Sequence, residues 1–192
     1  MFEWCAGGVR YRVSLLFPEL ITIMLLCRPD VWTVSCLVAS LIHECGHLIA
    51  MLLVGALPRE CVLGAFGIRI CLGNSLIDYK RNLFISLAGP CTNGLAAAVL
   101  AMMRCSAAAS VHLALAVVNL LPITALDGGE IIRGVLCLLG REEKAERVLQ
   151  LLSLLILVPL AVISFGLLYA SGNPTLLIVG VYAVALLVFE KI

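Results

Sequence analysis

The pattern HECGH at residues 43–47 is the part of this sequence best suited to metal chemistry. On a helix, residues four apart lie on one face, so His43 and His47 can offer imidazole nitrogens to a single Zn²⁺. Glu44 lies between them and can take a proton from a water that the ion acidifies. This spacing therefore predicts a zinc site with Glu44 as general base.

The HECGH residues lie midway along an apolar run, residues 31–57. An ionisable side chain at the centre of a membrane-spanning helix costs about 2.5–3.5 kcal/mol or more, and it is kept where it is paired or binds something. The alternative is a hydrogen-bonded cluster of His43, Glu44 and His47 without metal. The intramembrane setting favours the metal site.

Asp127 is the candidate for a third zinc ligand, since catalytic zinc usually takes three protein ligands and one water. It lies in NLLPITALDGGEIIRG, residues 119–134, where Pro122 and the pair Gly128 and Gly129 are expected to break a helix. Non-helical backbone at membrane depth is tolerated only where it is buried in protein or lines a wet cavity. The alternative is a turn in which Asp127 is a helix cap.

Two other polar residues lie in apolar segments. In GPCTN, residues 89–93, Gly89 and Pro90 are expected to open the helix locally, and Asn93 offers an amide that could donate to a scissile carbonyl or its oxyanion. The alternative is a packing kink with a hydrogen bond between helices. His112 is expected to be an interfacial or capping histidine and not a zinc ligand.

The composition is that of a membrane protein. Of the 192 residues, 62% are hydrophobic and 13% are charged, whereas a soluble domain is about half apolar and a quarter charged. A net charge of +1 and few aromatic residues give no argument for nucleic acid as a partner, and we expect none. The nine cysteines are scattered, with no CxxC pair, so we expect buried thiols and neither disulfides nor a cysteine zinc site.

Hydropathy predicts an all-α polytopic membrane protein with about six transmembrane helices. It also predicts a small membrane-surface β-hairpin in residues 58–81, where apolar residues alternate between glycines; an irregular loop is the alternative. Residues 141–147 are predicted to begin a helix in solvent. The six predicted spans are residues 14–27, 31–57, 82–104, 111–139, 148–170 and 174–190.

Charge predicts the orientation, with both termini in the cytoplasm. Arg28 and Arg104 then lie outside, and Arg133 lies within the fourth segment. The second and fourth segments run in the same direction, so at about 1.5 Å per residue His43 and Asp127 are predicted at similar depths. The ten basic residues placed inside are Arg10, Arg12, Arg59, Arg69, Lys80, Arg81, Arg141, Lys144, Arg147 and Lys191.

Together the three motifs resemble those of the site-2 protease family of intramembrane zinc metalloproteases. They are HECGH at 43–47, GPCTN at 89–93 and NLLPITALDG at 119–128. The compact layout most resembles the branch that contains the bacterial sporulation protease IVFB, which implies a bacterial cytoplasmic membrane. The resemblance covers a three-helix catalytic core, about residues 31–139, within a single integral-membrane domain, residues 1–192.

The resemblance implies a zinc-dependent cut within or beside a transmembrane helix of a membrane-protein substrate. His43, His47 and Asp127 would hold one Zn²⁺, Glu44 would activate water, and two asparagines would line the site or hold the substrate strand. The hairpin would dock that strand by β-addition. We expect neither a PDZ module nor a CBS domain, so control would come from a partner membrane protein. The two asparagines are Asn93 and Asn119.

Two rival functions use the same residues. A transporter or channel would use the His, Glu and Asp side chains as an ion path, since sites on broken helices near the midplane are typical of transporters. A catalytically inactive relative would bind membrane segments without cutting them. The intact HExxH pattern, with its glutamate present, favours the protease over both.

Overall fold

The computed structural model describes residues 2–6, 8–14, 16–27, 30–56, 58–64, 67–72, 78–171 and 181. They fall into two compact units, Met1–Val118 and Asn119–Ile192. The single-domain assignment therefore stays a prediction. In chain order the elements are β1 (Phe2–Ala6), β2 (Val9–Val13), α1 (Leu16–Cys27), α2 (Val31–Leu53), β3 (Pro58–Gly64), β4 (Gly67–Leu72), α3 (Tyr79–Met102), α4 (Ser106–Asn119), α5 (Asp127–Leu138) and α6 (Glu142–Ser171).

Helix α2 carries the HECGH motif. It begins after Asp30, whose carboxylate accepts a hydrogen bond from the Thr33 N–H at 2.8 Å and so satisfies one exposed donor of the first turn. The helix ends at Leu53, and Gly55 just beyond it has a φ of +70°, which glycine adopts readily. Its 23 residues extend for about 35 Å, enough for a hydrocarbon core of about 30 Å.

Helix α3 carries the GPCTN motif and packs along α2. It runs without a break through Pro90, so the prediction that Gly89 and Pro90 open this helix is wrong. Pro90 has no N–H, so the Ser86 carbonyl lacks its usual helical donor. Gly89 and Pro90 both lie on the buried side of the helix.

A four-stranded sheet belongs to the first unit, with the strand order β1-β2-β3-β4. The antiparallel hairpin of β3 and β4 was predicted, whereas β1 and β2 were not, and β2 pairs with β3 in parallel. Arg12 on β2 contacts Glu3 at 3.1 Å and Glu60 at 2.8 Å, which links three strands. Because β2 adjoins β3, the N-terminal segment and the segment after α2 are neighbours in space.

In the described part of the chain, three helices are long and apolar enough to cross a membrane, so the prediction of six spans is not supported. Helix α1 has only 12 residues, or about 18 Å. The predicted fourth span is two helices, α4 and α5, on either side of residues 120–126. The predicted sixth span, apart from Val181, lies outside the described residues. The three helices are Val31–Leu53, Tyr79–Met102 and Glu142–Ala170.

The second unit is built from α5 and α6. Helix α6 begins at Glu142, as predicted for the charged segment 141–147. Arg133 on α5 contacts Glu130 at 2.8 Å and Glu146 on α6 at 3.1 Å, so one guanidinium connects the two helices. Ala145 and Leu149 lie one turn apart on the buried side of α6.

Candidate metal centre

The two histidines of HECGH converge on one point beside α2. The Nε2 atoms of His43 and His47 are 3.2 Å apart, and the rings stand at 82° with centroids 4.8 Å apart. Both side chains are buried, at 6% and 8% exposed. Two nitrogens bound to one tetrahedral zinc at about 2.0–2.1 Å would be about 3.3 Å apart. The ring positions therefore fit a shared zinc ion.

The tautomer of His47 is determined by the neighbouring helix. Its Nδ1 donates to the backbone carbonyl oxygen of Ile85 on α3 at 2.8 Å. Since a carbonyl only accepts, Nδ1 of neutral His47 must carry the proton and Nε2 must present a lone pair. This is the form in which an imidazole ligates a metal, with its other nitrogen bonded to a backbone carbonyl.

Two glycines let α3 approach these rings. A Cβ on Gly89 would overlap Nε2 of His47 and lie 2.7 Å from Cε1 of His47 and 2.8 Å from Cε1 of His43. A Cβ on Gly46, on the facing helix, would overlap the Thr92 hydroxyl and lie 2.9 Å from the Ala88 carbonyl oxygen. The glycines of HECGH and GPCTN thus serve the close packing of α2 on α3.

Asn93 on α3 is completely buried and lies between two imidazoles. Its Nδ2 is 3.3 Å from Nδ1 of His43, and its Oδ1 accepts a hydrogen bond from Nδ1 of His112 on α4 at 3.0 Å. The structure therefore joins Asn93 to a predicted zinc ligand. Its predicted contact with a substrate carbonyl stays a prediction.

His112 is the residue that the sequence analysis misjudged. It is 2% exposed and lies within α4, so its interpretation as an interfacial or capping residue is wrong. No local motif links it to Asn93, which lies 19 positions earlier. A weaker signal was present, because Ala109, His112 and Ala116 recur at helical spacing and form the buried side of α4.

Glu44 follows His43 directly on α2 and is half-buried. Its neighbour Cys45 is exposed on the same helix. The side chains of the motif therefore lie on different faces of α2: the histidines face α3 and the cysteine points away from it. The role of Glu44 as general base stays a prediction.

Asp127, in the second unit, is the first residue of α5 and is half-buried. The two glycines after it lie inside α5, and the helix break is residues 120–126. A Cβ on Gly128 would overlap the Leu121 carbonyl oxygen, and one on Gly129 would lie 2.9 Å from the Ile123 carbonyl carbon. The DGG sequence therefore lets the loop backbone lie against the first turn of α5.

The loop before Asp127 is also held from α6. The Thr124 N–H donates to the Ser153 hydroxyl at 3.0 Å, and the two hydroxyls are 3.2 Å apart. Ser153 is 1% exposed. The predicted break is confirmed at Pro122 but not at Gly128 and Gly129, which lie inside α5. The backbone of the break is anchored by a side chain from another helix. Asn119 is the last residue of α4 and is half-buried.

Comparison with known proteins shows a partial sequence likeness and a full-length structural one. Residues 101–161 match the model of Peptidase family M50. No curated protein sequence matches this one. The fold is similar to that of the site-2 protease from Methanocaldococcus jannaschii, with a TM-score of 0.69 over 95% of this chain and 92% of that chain, at 19% sequence identity.

The chain therefore has the fold of a site-2 protease. The M50 match includes Asp127 and the helix break. Neither likeness separates the IVFB branch from others, so that branch and a role in sporulation stay predictions.

Proposed function

We propose that this protein is an intramembrane zinc metalloprotease of the site-2 type. It hydrolyses a peptide bond within or near a transmembrane segment of a membrane-protein substrate. The observation that carries the proposal is the convergence of the His43 and His47 Nε2 atoms at 3.2 Å, on buried rings in an apolar helix. The likeness to Peptidase family M50 supports the same reaction class.

One Zn²⁺ would be held by His43, His47 and Asp127. Each offers one ligand atom, an imidazole nitrogen or a carboxylate oxygen, and this mixed set is common in catalytic zinc sites. Asp127 is supported by its place at the start of α5, behind a loop whose backbone is anchored by Ser153. When bound, zinc acidifies a water and polarises the scissile carbonyl.

Glu44 is the proton carrier. Its carboxylate takes a proton from the attacking water as the water oxygen bonds to the carbonyl carbon. The same proton then goes to the amine nitrogen as the C–N bond breaks, so one water is consumed and a carboxyl and an amine result. A positioned acid–base group of this kind contributes about 10²–10⁴-fold to rate. Asn119, at the end of α4, would line the site.

The substrate strand would dock along β4. A helix must unwind before it is cut, because its carbonyls are otherwise bonded to its own N–H groups. An extended strand can add to the edge of a sheet, and β4 is an end strand whereas β3 is covered by β2. The N-terminal hairpin thus leaves only one side of the β3–β4 hairpin for β-addition.

The three apolar helices support an integral membrane protein. We propose that both termini are cytoplasmic, since this orientation puts most Lys and Arg residues inside. The pairing of β2 with β3 puts these two strands on one side of the membrane in either orientation. A regulatory membrane-protein partner is also proposed, and full activity of the purified protein alone on its natural substrate would contradict it.

The test is the substitution Glu44→Gln in the full chain. We expect zinc content to equal that of the parent and cleavage of a co-expressed membrane substrate to fall by about 10²-fold or more. Cys45→Ala is the matched control, since Cys45 is the next residue and is exposed; it should cut at the parent rate. Cleavage by Glu44→Gln at the parent rate would overturn the mechanism. Zinc or proton flux in liposomes without any peptide product would indicate a transporter.

A further inference from the structure

We propose that Asn93 and His112 are positioning residues of the metal centre. This inference rests on the function proposed above. Asn93 holds the imidazole of His43 so that Nε2 faces the metal, and His112 holds the amide of Asn93. The observation is a buried chain from His112 through Asn93 to His43, with contacts of 3.0 and 3.3 Å.

When no metal is bound, the hydrogen bonds that link His47, His43, Asn93 and His112 have one consistent set of donors and acceptors. His47 donates from Nδ1 to Ile85, so its Nε2 is an acceptor. The facing Nε2 of His43, 3.2 Å away, must therefore carry the proton. Nδ1 of His43 is then a lone pair and accepts from the Asn93 amide, whose oxygen accepts from His112.

Metal binding would exchange donor and acceptor in the hydrogen bonds that Asn93 makes. If His43 is to ligate through Nε2, its proton must move to Nδ1, and Nδ1–H then needs an acceptor. The Asn93 amide turned by 180° supplies Oδ1 to His43 and donates its N–H to Nδ1 of His112, whose proton must then be on Nε2. Asn93 can serve both states because an amide carries a donor and an acceptor. Leucine, with a similar shape, can serve neither.

A purely structural role is the competing explanation. Asparagine and histidine hydrogen-bond across helices in membrane proteins and hold them together. Asn93 is on α3 and His112 is on α4, so their bond joins two helices in either case. The two roles differ in their effect on metal affinity. Only in a positioning role does a change at His112 alter metal binding, because it acts through Asn93 on His43.

The experiment measures the zinc affinity of the full-length, detergent-solubilised protein by chelator competition, together with the absorption spectrum of the Co²⁺ form. Asn93→Leu and His112→Leu should each weaken zinc binding by about 10–100-fold, the usual effect of losing a partner of a metal-bound histidine. His112→Asn, which keeps an amide at the Nδ1 position, should restore most of the affinity. Ser110→Ala is the control, since Ser110 bonds only the carbonyl of Ser106 in its own helix; it should bind zinc as the parent does.

A double substitution separates the two roles. If His112 acts through Asn93, then His112→Leu in the Asn93→Leu background should cause no further loss of zinc affinity. Independent losses that multiply would overturn the proposal, and so would parent-like affinity and Co²⁺ spectra in the folded single variants. If Asn93→Leu does not fold, the zinc affinities of His112→Leu and His112→Asn still distinguish a positioning role from a structural one. A parent chain that binds no zinc would overturn the proposed function itself, whereas parent binding with unaffected variants would overturn only this inference.

Discussion

Nδ1 of His47 donates to the backbone carbonyl oxygen of Ile85 at 2.8 Å. In a regular helix the same carbonyl accepts the N–H of Gly89, the residue that leaves space for both histidine rings. One turn of α3 therefore sets the tautomer of a proposed zinc ligand and the clearance around it. Because the acceptor is backbone, substitution at Ile85 should not remove this bond.

The clearance at Gly89 predicts a specific loss. Gly89→Ala would place a methyl group against the rings of His43 and His47, so zinc affinity should fall by about 10-fold or more as the rings are displaced. Gly94→Ala is the control in the same helix, because a Cβ there meets nothing within 4 Å. That variant should bind zinc normally and gain about 0.5–1 kcal/mol in stability. Equal zinc affinities for the two variants, measured by chelator competition, would contradict the prediction.

The start of α5 predicts a second glycine effect. Gly128→Ala would put a Cβ 2.5 Å from the Leu120 carbonyl carbon, and backbone cannot move aside as a flexible side chain can. Overpacking of this kind costs about 1–3 kcal/mol, and it would displace the loop before Asp127. We expect a lower thermal midpoint in detergent and loss of proteolysis. Gly166→Ala in α6, where a Cβ meets nothing within 4 Å, should leave both measurements as in the parent.

The anchor between Ser153 and Thr124 predicts a difference between two buried serines of α6. Ser153→Ala removes the acceptor of the Thr124 N–H and should cost about 1–3 kcal/mol of stability, the penalty for an unsatisfied buried donor. Ser164→Ala should cost less, because the Ser164 hydroxyl bonds only the Leu160 carbonyl of its own helix. Unfolding in detergent monitored by circular dichroism measures both. A larger loss from Ser164→Ala would show that the loop is not held in this way.

The proposed third ligand has a direct test. Asp127→Ala should lower zinc affinity by about 10²-fold or more, since one of three protein ligands is removed, and proteolysis should be lost with it. Asp78→Ala is the comparison, because Asp78 is exposed and its side chain makes no capping hydrogen bond to α3. Normal zinc binding by Asp127→Ala would remove this residue from the ligand set.

The elements were predictable to different degrees, for reasons of length and periodicity. Helices α2, α3 and α6 follow long apolar runs, which form helices because a chain in lipid must satisfy its backbone internally. The predicted fourth span failed because hydropathy sums over residues 111–139 without detecting the backbone break at 120–126. Strand β2 was missed because short strands depend on their partners, and its β3 partner residues lie 50 positions later, as Arg10 and Glu60 do. Strand β1 pairs with β2 and was missed with it.

The amino-acid sequence alone determined the chemistry available: the spacing of His43 and His47 on one helical face, the neighbouring Glu44, and Asp127 as a further candidate ligand. Local spacing is sufficient there because helix geometry is nearly invariant. Only the tertiary structure decided that His47 donates to Ile85 and that Asn93 joins His43 to His112. These contacts form between separate helices, whose packing depends on residues such as Gly46 and Gly89 together, and no spacing within one segment encodes it.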